Sequence, residues 1–294
     1  MTKTAAGFTD RVSTAEENKD TVDRKEYTTT IEVNGARIYH EVRGSGPSVL
    51  FIAGATGDGG HFQRVAEPLS DEFTVVTYDR RANSRSPRPE GWQSTSTEEQ
   101  SDDAAALIEA LGLAPAVVFG ASGGAIIGLD LVVRHPGLLR GAILHEPAML
   151  SVLDNPEQVM GAIQQVVEGG MQKGGPRAGM EAFLRFFVGD RTFENLDVGL
   201  RERMLGNAET FFGLELASIG SHYQPDEAAL AYVEVPVVVM TGTESPPLLI
   251  ETSRWLASRL NVELDTLPGA HAPYFDRPGE MAQALRPLLR KLSG

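Results

Sequence analysis

A serine set between glycines is the residue in this chain whose surroundings could do chemistry. Gly120-Ala121-Ser122-Gly123-Gly124 follows the short apolar run Ala116-Val117-Val118-Phe119 and precedes Ala125 to Val133, which reads as a buried helix. Strand, glycine-flanked serine and helix are the setting in which G-x-S-x-G forms a nucleophile elbow. Such a turn is tight enough to require residues without a Cβ on either side of the serine. It strains the serine's backbone and sets the hydroxyl over the carboxyl edge of the sheet. The helix that follows would aim its first amides at that edge, where a developing oxyanion is stabilised. In a chain with 31 glycines the pattern gains its meaning from the flanking strand and helix.

Serine is a poor nucleophile at neutral pH, so Ser122 requires a base that is itself held by an acid. Six histidines are available. His271 lies in Leu267-Pro268-Gly269-Ala270-His271-Ala272-Pro273-Tyr274, a loop after the last strand and ahead of the last helix, which would deliver a base to the same edge as Ser122. The others have plainer readings. His40, on an early strand, is expected at the surface or an edge. His135 ends a helix before a proline, where a cation suits the dipole. His61 follows a glycine-rich loop and either faces a pocket or caps. His145 closes a strand and points to the opposite face from Glu146. His222 falls in a helical insertion, as a substrate contact or a surface residue. The chemistry of a Ser122–His271 pair is acyl transfer through a covalent intermediate, for which neither metal nor cofactor is needed.

The elements that must position these groups follow from the order of strand and helix signals. Glu26 to Val33 and Ala36 to Val42 alternate in the strand period about Asn34-Gly35, a hairpin turn placed at a sheet edge. Ser48 to Ile52 is continuously apolar, as in a strand buried on both faces, and ends in the loop Ala53 to Gly60. Phe73 to Tyr78 is the next strand. Ser96-Thr97-Glu98-Glu99 offers a capping box for a helix through Leu111, stopped by Gly112. The elbow strand and helix come next, then strands at Leu139 to Leu144, Val235 to Met240 and Val262 to Leu267, with helices over 249–260 and 278–292. Repeated strand–helix units predict a mostly parallel sheet of about eight strands with helices on both faces.

From Pro147 to Tyr232 that rhythm lapses into amphipathic helices, broken at Gly169-Gly170 and at Gly174-Gly175-Pro176. This stretch holds five of the eight methionines and six of the twelve phenylalanines. Such stripes are packing residues in the first place, and in an inserted lid they also suit an apolar, adaptable pocket. The expected organisation is a disordered leader over 1–25, a core over 26–146, a helical cap over 147–232 and the rest of the core over 233–294. The chain has no cysteine, which removes disulfides, thiol nucleophiles and cysteine-bound zinc. Its net charge of −14 argues against nucleic acid or an anionic membrane as a partner. No apolar run reaches a membrane span or a secretory h-region, so a cytoplasmic location is expected, and a homodimer is compatible with the sequence.

Taken together these residues resemble the α/β-hydrolase fold. The likeness runs from about Ile31 to Leu292 through ordered landmarks: the glycine loop at Gly54, the loop from Tyr78-Asp79-Arg80 to Ser84-Arg85-Ser86, the elbow at Ser122, and the late His271. His145-Glu146-Pro147 and the Pro268 to Tyr274 stretch are similar to bacterial serine ester hydrolases and to fungal lactonases that open the macrolactone zearalenone. The resemblance implies a triad acid after the seventh strand, three residues past a glycine. Here that position, counted from Gly242, is Ser245, and Glu244 stands one residue short. The family's second solution is an acid at the end of the sixth strand, where Glu146 stands. Both satisfy the order serine, acid, histidine; Glu146 is preferred, because a glutamate's extra methylene lets it reach from the neighbouring strand. The resemblance also implies oxyanion amides from Gly123 and Ala55, with Gly54 as a substitute for the latter, while Asp79 and Arg80 read as structural ties within the sheet.

The function expected is hydrolysis of a carboxylic ester or lactone of a hydrophobic small molecule. Two alternatives draw weight from the missing acid after the seventh strand. One is a cofactor-free lyase, oxygenase or perhydrolase, and the other a ligand-binding protein with a degenerate triad.

Overall fold

A computed structural model describes residues 25–221 and 223–294. The expected leader, apart from Lys25, and His222 lie outside the described residues. One sheet of eight strands runs in the order β1-β2-β4-β3-β5-β6-β7-β8. β1 (Lys25–Val33) and β2 (Ala36–Gly44) form the hairpin about Asn34-Gly35, with Ile31 opposite Ile38. β2 joins β4 (Thr74–Tyr78) antiparallel, and every later pairing is parallel: β3 (Ser48–Ile52), β5 (Ala116–Ala121), β6 (Leu139–His145), β7 (Val237–Gly242) and β8 (Leu264–Leu267). β5 is buried at every position, as a central strand with helices on both faces must be.

Successive residues of a strand point to opposite faces, and the core divides accordingly. Phe51, Val117 and Phe119 pack on one face with α1 (Gln63–Leu69), whereas Leu50, Ile52 and Val118 pack on the other with α2 (Thr97–Ala110) and α3 (Gly123–Arg134). The Ser96 hydroxyl accepts the Glu99 amide at 3.1 Å, so α2 starts where the cap predicts. The Glu99 carboxylate takes the Trp92 indole N–H at 3.0 Å, so only the serine half of the capping box forms. Gly112, with φ 64°, ends the helix.

Between β6 and β7 the chain is helical: α4 (Pro156–Val188), α5 (Asp190–Glu194), α6 (Val198–Gly206), α7 (Ala208–Thr210), a π-helix (Phe211–Ser221) and α8 (Glu227–Leu230). α4 is two helices that turn at Gly174-Gly175, where Gly175 has φ 71°. The break expected at Gly169-Gly170 does not occur. A Cβ on Gly170 would meet the Ala182 Cβ at 2.9 Å, so this glycine serves close packing of the two helical arms. α9 (Pro247–Arg259), the short α10 (Pro273–Asp276) and α11 (Pro278–Ser293) complete the chain, with β8 starting two residues later than expected. Among the described residues no helix is long and apolar enough to cross a membrane.

Candidate active site

β5 delivers Ser122 in a backbone conformation that only the surrounding elements can hold. Its φ is 57° and its ψ −123°, and its amide donates to the His145 carbonyl at 2.9 Å. The glycines account for the turn. A Cβ on Gly120 would fall on the Gly124 carbonyl, and one on Gly124 on the Ile52 carbonyl. Gly54 lies against the elbow as closely: its Cβ would meet the Ala121 carbonyl oxygen at 2.7 Å and the Ser122 Cβ at 2.9 Å. Gly123 opens α3, where a first-turn amide has no partner within the helix.

Glu146 follows the end of β6 with φ 48°, a left-handed turn that sends its side chain inward, fully buried. One carboxylate oxygen accepts the Thr241 hydroxyl at 2.9 Å and the Gly242 amide at 2.7 Å, both from the end of β7. The other lies 2.6 Å from His271 Nδ1. Burial pushes the Glu146 carboxyl up, but the His271 hydrogen bond, the neighbouring imidazoles and the Gly242 amide outweigh it and hold the group well below the usual carboxylate range. Such a carboxylate accepts the Nδ1 proton and leaves the lone pair of Nε2 for another partner. Glu244 is elsewhere. It is exposed and pairs with Arg277 at 2.7 Å.

Ser122 and His271 border one cavity of about 350 Å³, together with Gly54, Ala55 and Gly123. Its walls are mostly apolar side chains of the β6–β7 insertion, among them Met160, Phe183, Phe187 and Phe212, and the Phe187 ring lies 5.8 Å from that of His271. Among the described residues no cluster of three histidine, aspartate or glutamate side chains could hold a metal ion.

Residues 49–284 match the alpha/beta hydrolase family. The chain is 35% identical over 266 residues to an uncharacterized hydrolase, YraK, of Bacillus subtilis, spanning 89% of this chain and 96% of that one. The chain belongs to the alpha/beta hydrolase family. A zearalenone hydrolase of Cladophialophora bantiana is 26% identical over 268 residues, covering 90% and 96% of the two chains. The structure is similar to that of an alpha/beta hydrolase from Sphaerobacter thermophilus, with a TM-score of 0.67 at 26% identity over 90% of this chain and 99% of the other. The protein is a hydrolase by these relatives.

Within this alpha/beta hydrolase the structure brings Ser122, His271, Glu146, Ala55 and Gly123 to one site and leaves Glu244 outside it. Three other histidines depart from expectation or sharpen it. His40 is buried on β2, inside the sheet and not at its edge, against the Tyr27 ring. His61 faces the cavity, stacks on Tyr274 and lies 3.1 Å from the Thr56 hydroxyl; burial lowers its pKa to about 4. His145 is buried between Phe119 and His271, with Nε2 3.2 Å from the His271 carbonyl, and burial likewise lowers it to about 4. His135 does end α3, where it pairs with Asp102 at 2.7 Å.

The sequence reading missed Glu215, and it took Arg80 for a tie within the sheet. The two form a buried ion pair at 2.7 Å bordering the cavity. A signal was present in Phe211-Phe212-Gly213-Leu214-Glu215-Leu216-Ala217: a lone carboxylate in an apolar helical stretch calls for a buried cation. Asp79 is a tie as expected, accepting the Gly59 amide at 2.8 Å and the Arg85 guanidinium at 2.6 Å.

Proposed function

We propose that the protein is a serine hydrolase that cleaves a carboxylic ester or lactone of a hydrophobic small molecule through an acyl-enzyme. The observation that carries this reading is the buried Glu146–His271 contact, 2.6 Å long, beside a cavity that His271 shares with the strained Ser122. Ser122 Oγ attacks the substrate carbonyl while His271 Nε2 takes its proton, and Glu146 stabilises the imidazolium through Nδ1. The amides of Gly123 and Ala55 receive the oxyanion. His271 then protonates the departing alkoxide, and a water activated by the same nitrogen hydrolyses the acyl-enzyme.

The helices between β6 and β7 act as a cap. Their phenylalanine and methionine side chains bury the apolar part of the substrate and exclude water, which supports a hydrophobic alcohol, acyl or lactone group. Likeness to a zearalenone hydrolase is in keeping with an ester or lactone substrate. The absent acid after the seventh strand had favoured the non-hydrolytic and ligand-binding alternatives; a carboxylate from β6 meets that objection.

The test is hydrolysis of p-nitrophenyl butyrate by wild type and Ser122→Ala. Turnover that falls by at least about 10³-fold in the variant is expected. A folded wild type without turnover on short or aromatic esters and lactones, or a fully active Ser122→Ala, would overturn the proposal.

A further inference from the structure

One side chain holds both carbonyls at the start of the loop after β3. Arg80 Nε donates to the Ala53 carbonyl at 3.0 Å and Nη2 to the Gly54 carbonyl at 2.9 Å. Nη1 donates to Gln100 Oε1 at 3.1 Å, and the two terminal nitrogens grip Glu215 at 2.8 and 2.7 Å. A guanidinium has five N–H donors, and these five bonds engage them all. Although Arg80 borders the cavity, it has no donor left for a substrate.

The Gly54 carbonyl and the Ala55 amide belong to one peptide unit. That unit is planar and trans, so its C=O and N–H point in opposite directions. Whatever fixes the carbonyl therefore fixes where the Ala55 N–H points. The Gly57 amide also donates to this carbonyl, at 3.1 Å, but from within the same loop; Arg80 anchors it to the end of β4 and, through Glu215, to the π-helix. A charge-assisted bond also polarises the peptide and strengthens its N–H as a donor.

We infer that Arg80 is a positioning residue that aims the Ala55 amide at the oxyanion. This rests on the reading of Ser122 as nucleophile and gives Arg80 a role beyond packing. Truncating Arg80 alone would strand the buried Glu215 carboxylate, so two variants are needed: Arg80→Lys, which keeps the charge but cannot hold both carbonyls and the carboxylate, and the double variant Arg80→Met with Glu215→Leu. For each, kcat and KM on p-nitrophenyl butyrate, inhibition by phenylboronic acid, and hydrogen exchange of residues 53–57 are measured alongside thermal melting.

The expected result is a fall in kcat of about 10- to 100-fold, the range for a misaimed rather than a deleted oxyanion donor, with KM changed less than about threefold. Phenylboronic acid, whose tetrahedral adduct on Ser122 fills the oxyanion position, should weaken in step with kcat, and exchange over 53–57 should quicken. An unchanged kcat in a folded variant overturns the inference, as does a loss confined to KM with boronate affinity unaltered. If wild type neither hydrolyses the ester nor binds the boronate, the nucleophile reading fails by itself. Exchange over 53–57 then still decides whether Arg80 holds the loop, and unaltered exchange in both variants overturns that too.

Discussion

Replacing Glu146 by glutamine changes one atom and should nearly stop the reaction, for a reason the hydrogen bonds supply. In the wild type one carboxylate oxygen is taken by the Thr241 hydroxyl and the Gly242 amide, and the other faces His271 Nδ1 at 2.6 Å. The Gly242 N–H can only donate, so the glutamine must keep its carbonyl oxygen there. Its NH2 then turns to Nδ1 and donates. His271 has to accept at Nδ1 and carry its proton on Nε2, the tautomer that cannot take a proton from Ser122. The same exchange in a Ser-His-Asp triad lowers kcat about 10⁴-fold, equivalent to about 5 kcal/mol of transition-state stabilisation. Glu146→Gln should therefore fold, bind substrate with an ordinary KM and lose about 10³- to 10⁴-fold in kcat. Glu244→Gln, which breaks only an exposed pair with Arg277, should stay within about twofold of wild type. Initial rates of p-nitrophenyl butyrate hydrolysis by the three proteins decide it. A Glu146→Gln enzyme within tenfold of wild type, or a dead Glu244→Gln, refutes the reasoning.

Other consequences follow from the same geometry. Gly124→Ala drives a Cβ into the Ile52 carbonyl, whereas a Cβ on Gly123 meets nothing closer than Ile219 at 3.5 Å. The first should lose soluble folded protein and the second should keep its melting temperature within about 5 °C, as thermal melting of both will show. Burial lowers His61 and His145 from 6.5 to about 4, so the unfolded chain takes up protons between these values and the folded one does not. Stability is thus complete above pH 6.5 and is lost as the pH falls toward 4, by about 3 kcal/mol for each imidazole. Urea midpoints across this window should fall, and His145→Leu should flatten the slope; a flat wild-type profile would contradict the argument. Phe187→Ala opens the cavity wall beside His271. It should raise KM for a long or aromatic ester about tenfold while sparing kcat for an acetate ester, as measured with a p-nitrophenyl chain-length series.

What the sequence discloses depends on whether the physics is local. The elbow is legible because its glycines answer to atoms within a few residues or on the adjoining strand, and the apolar run before it can only be a buried strand. His271 is legible from its place between the last strand and the last helix. Glu146 against Glu244 is a different matter. Glu146 turns inward through a positive φ and is held by Thr241 and Gly242, from a strand that follows the whole helical insertion. Nothing beside Glu146 in the sequence announces those partners. Arg80 and Glu215 are harder still, since the apolar stretch around Glu215 calls for a cation without naming one, and the partner, Arg80, lies 135 residues away and reads by itself as a tie within the sheet. Gly169-Gly170 misleads in the opposite direction, because a glycine pair reads equally as a break or as a seat for a neighbouring helix.

The most direct test of the central claim is to trap the acyl group. Wild type and Ser122→Ala are each mixed with p-nitrophenyl butyrate, quenched in acid within milliseconds to seconds, and measured by intact mass and peptide mapping. The proposed chemistry requires a butyryl increment on the wild-type peptide carrying Ser122, formed with the burst of nitrophenol and absent from the variant. Turnover without any increment on that peptide, or an increment that survives in Ser122→Ala, would contradict it.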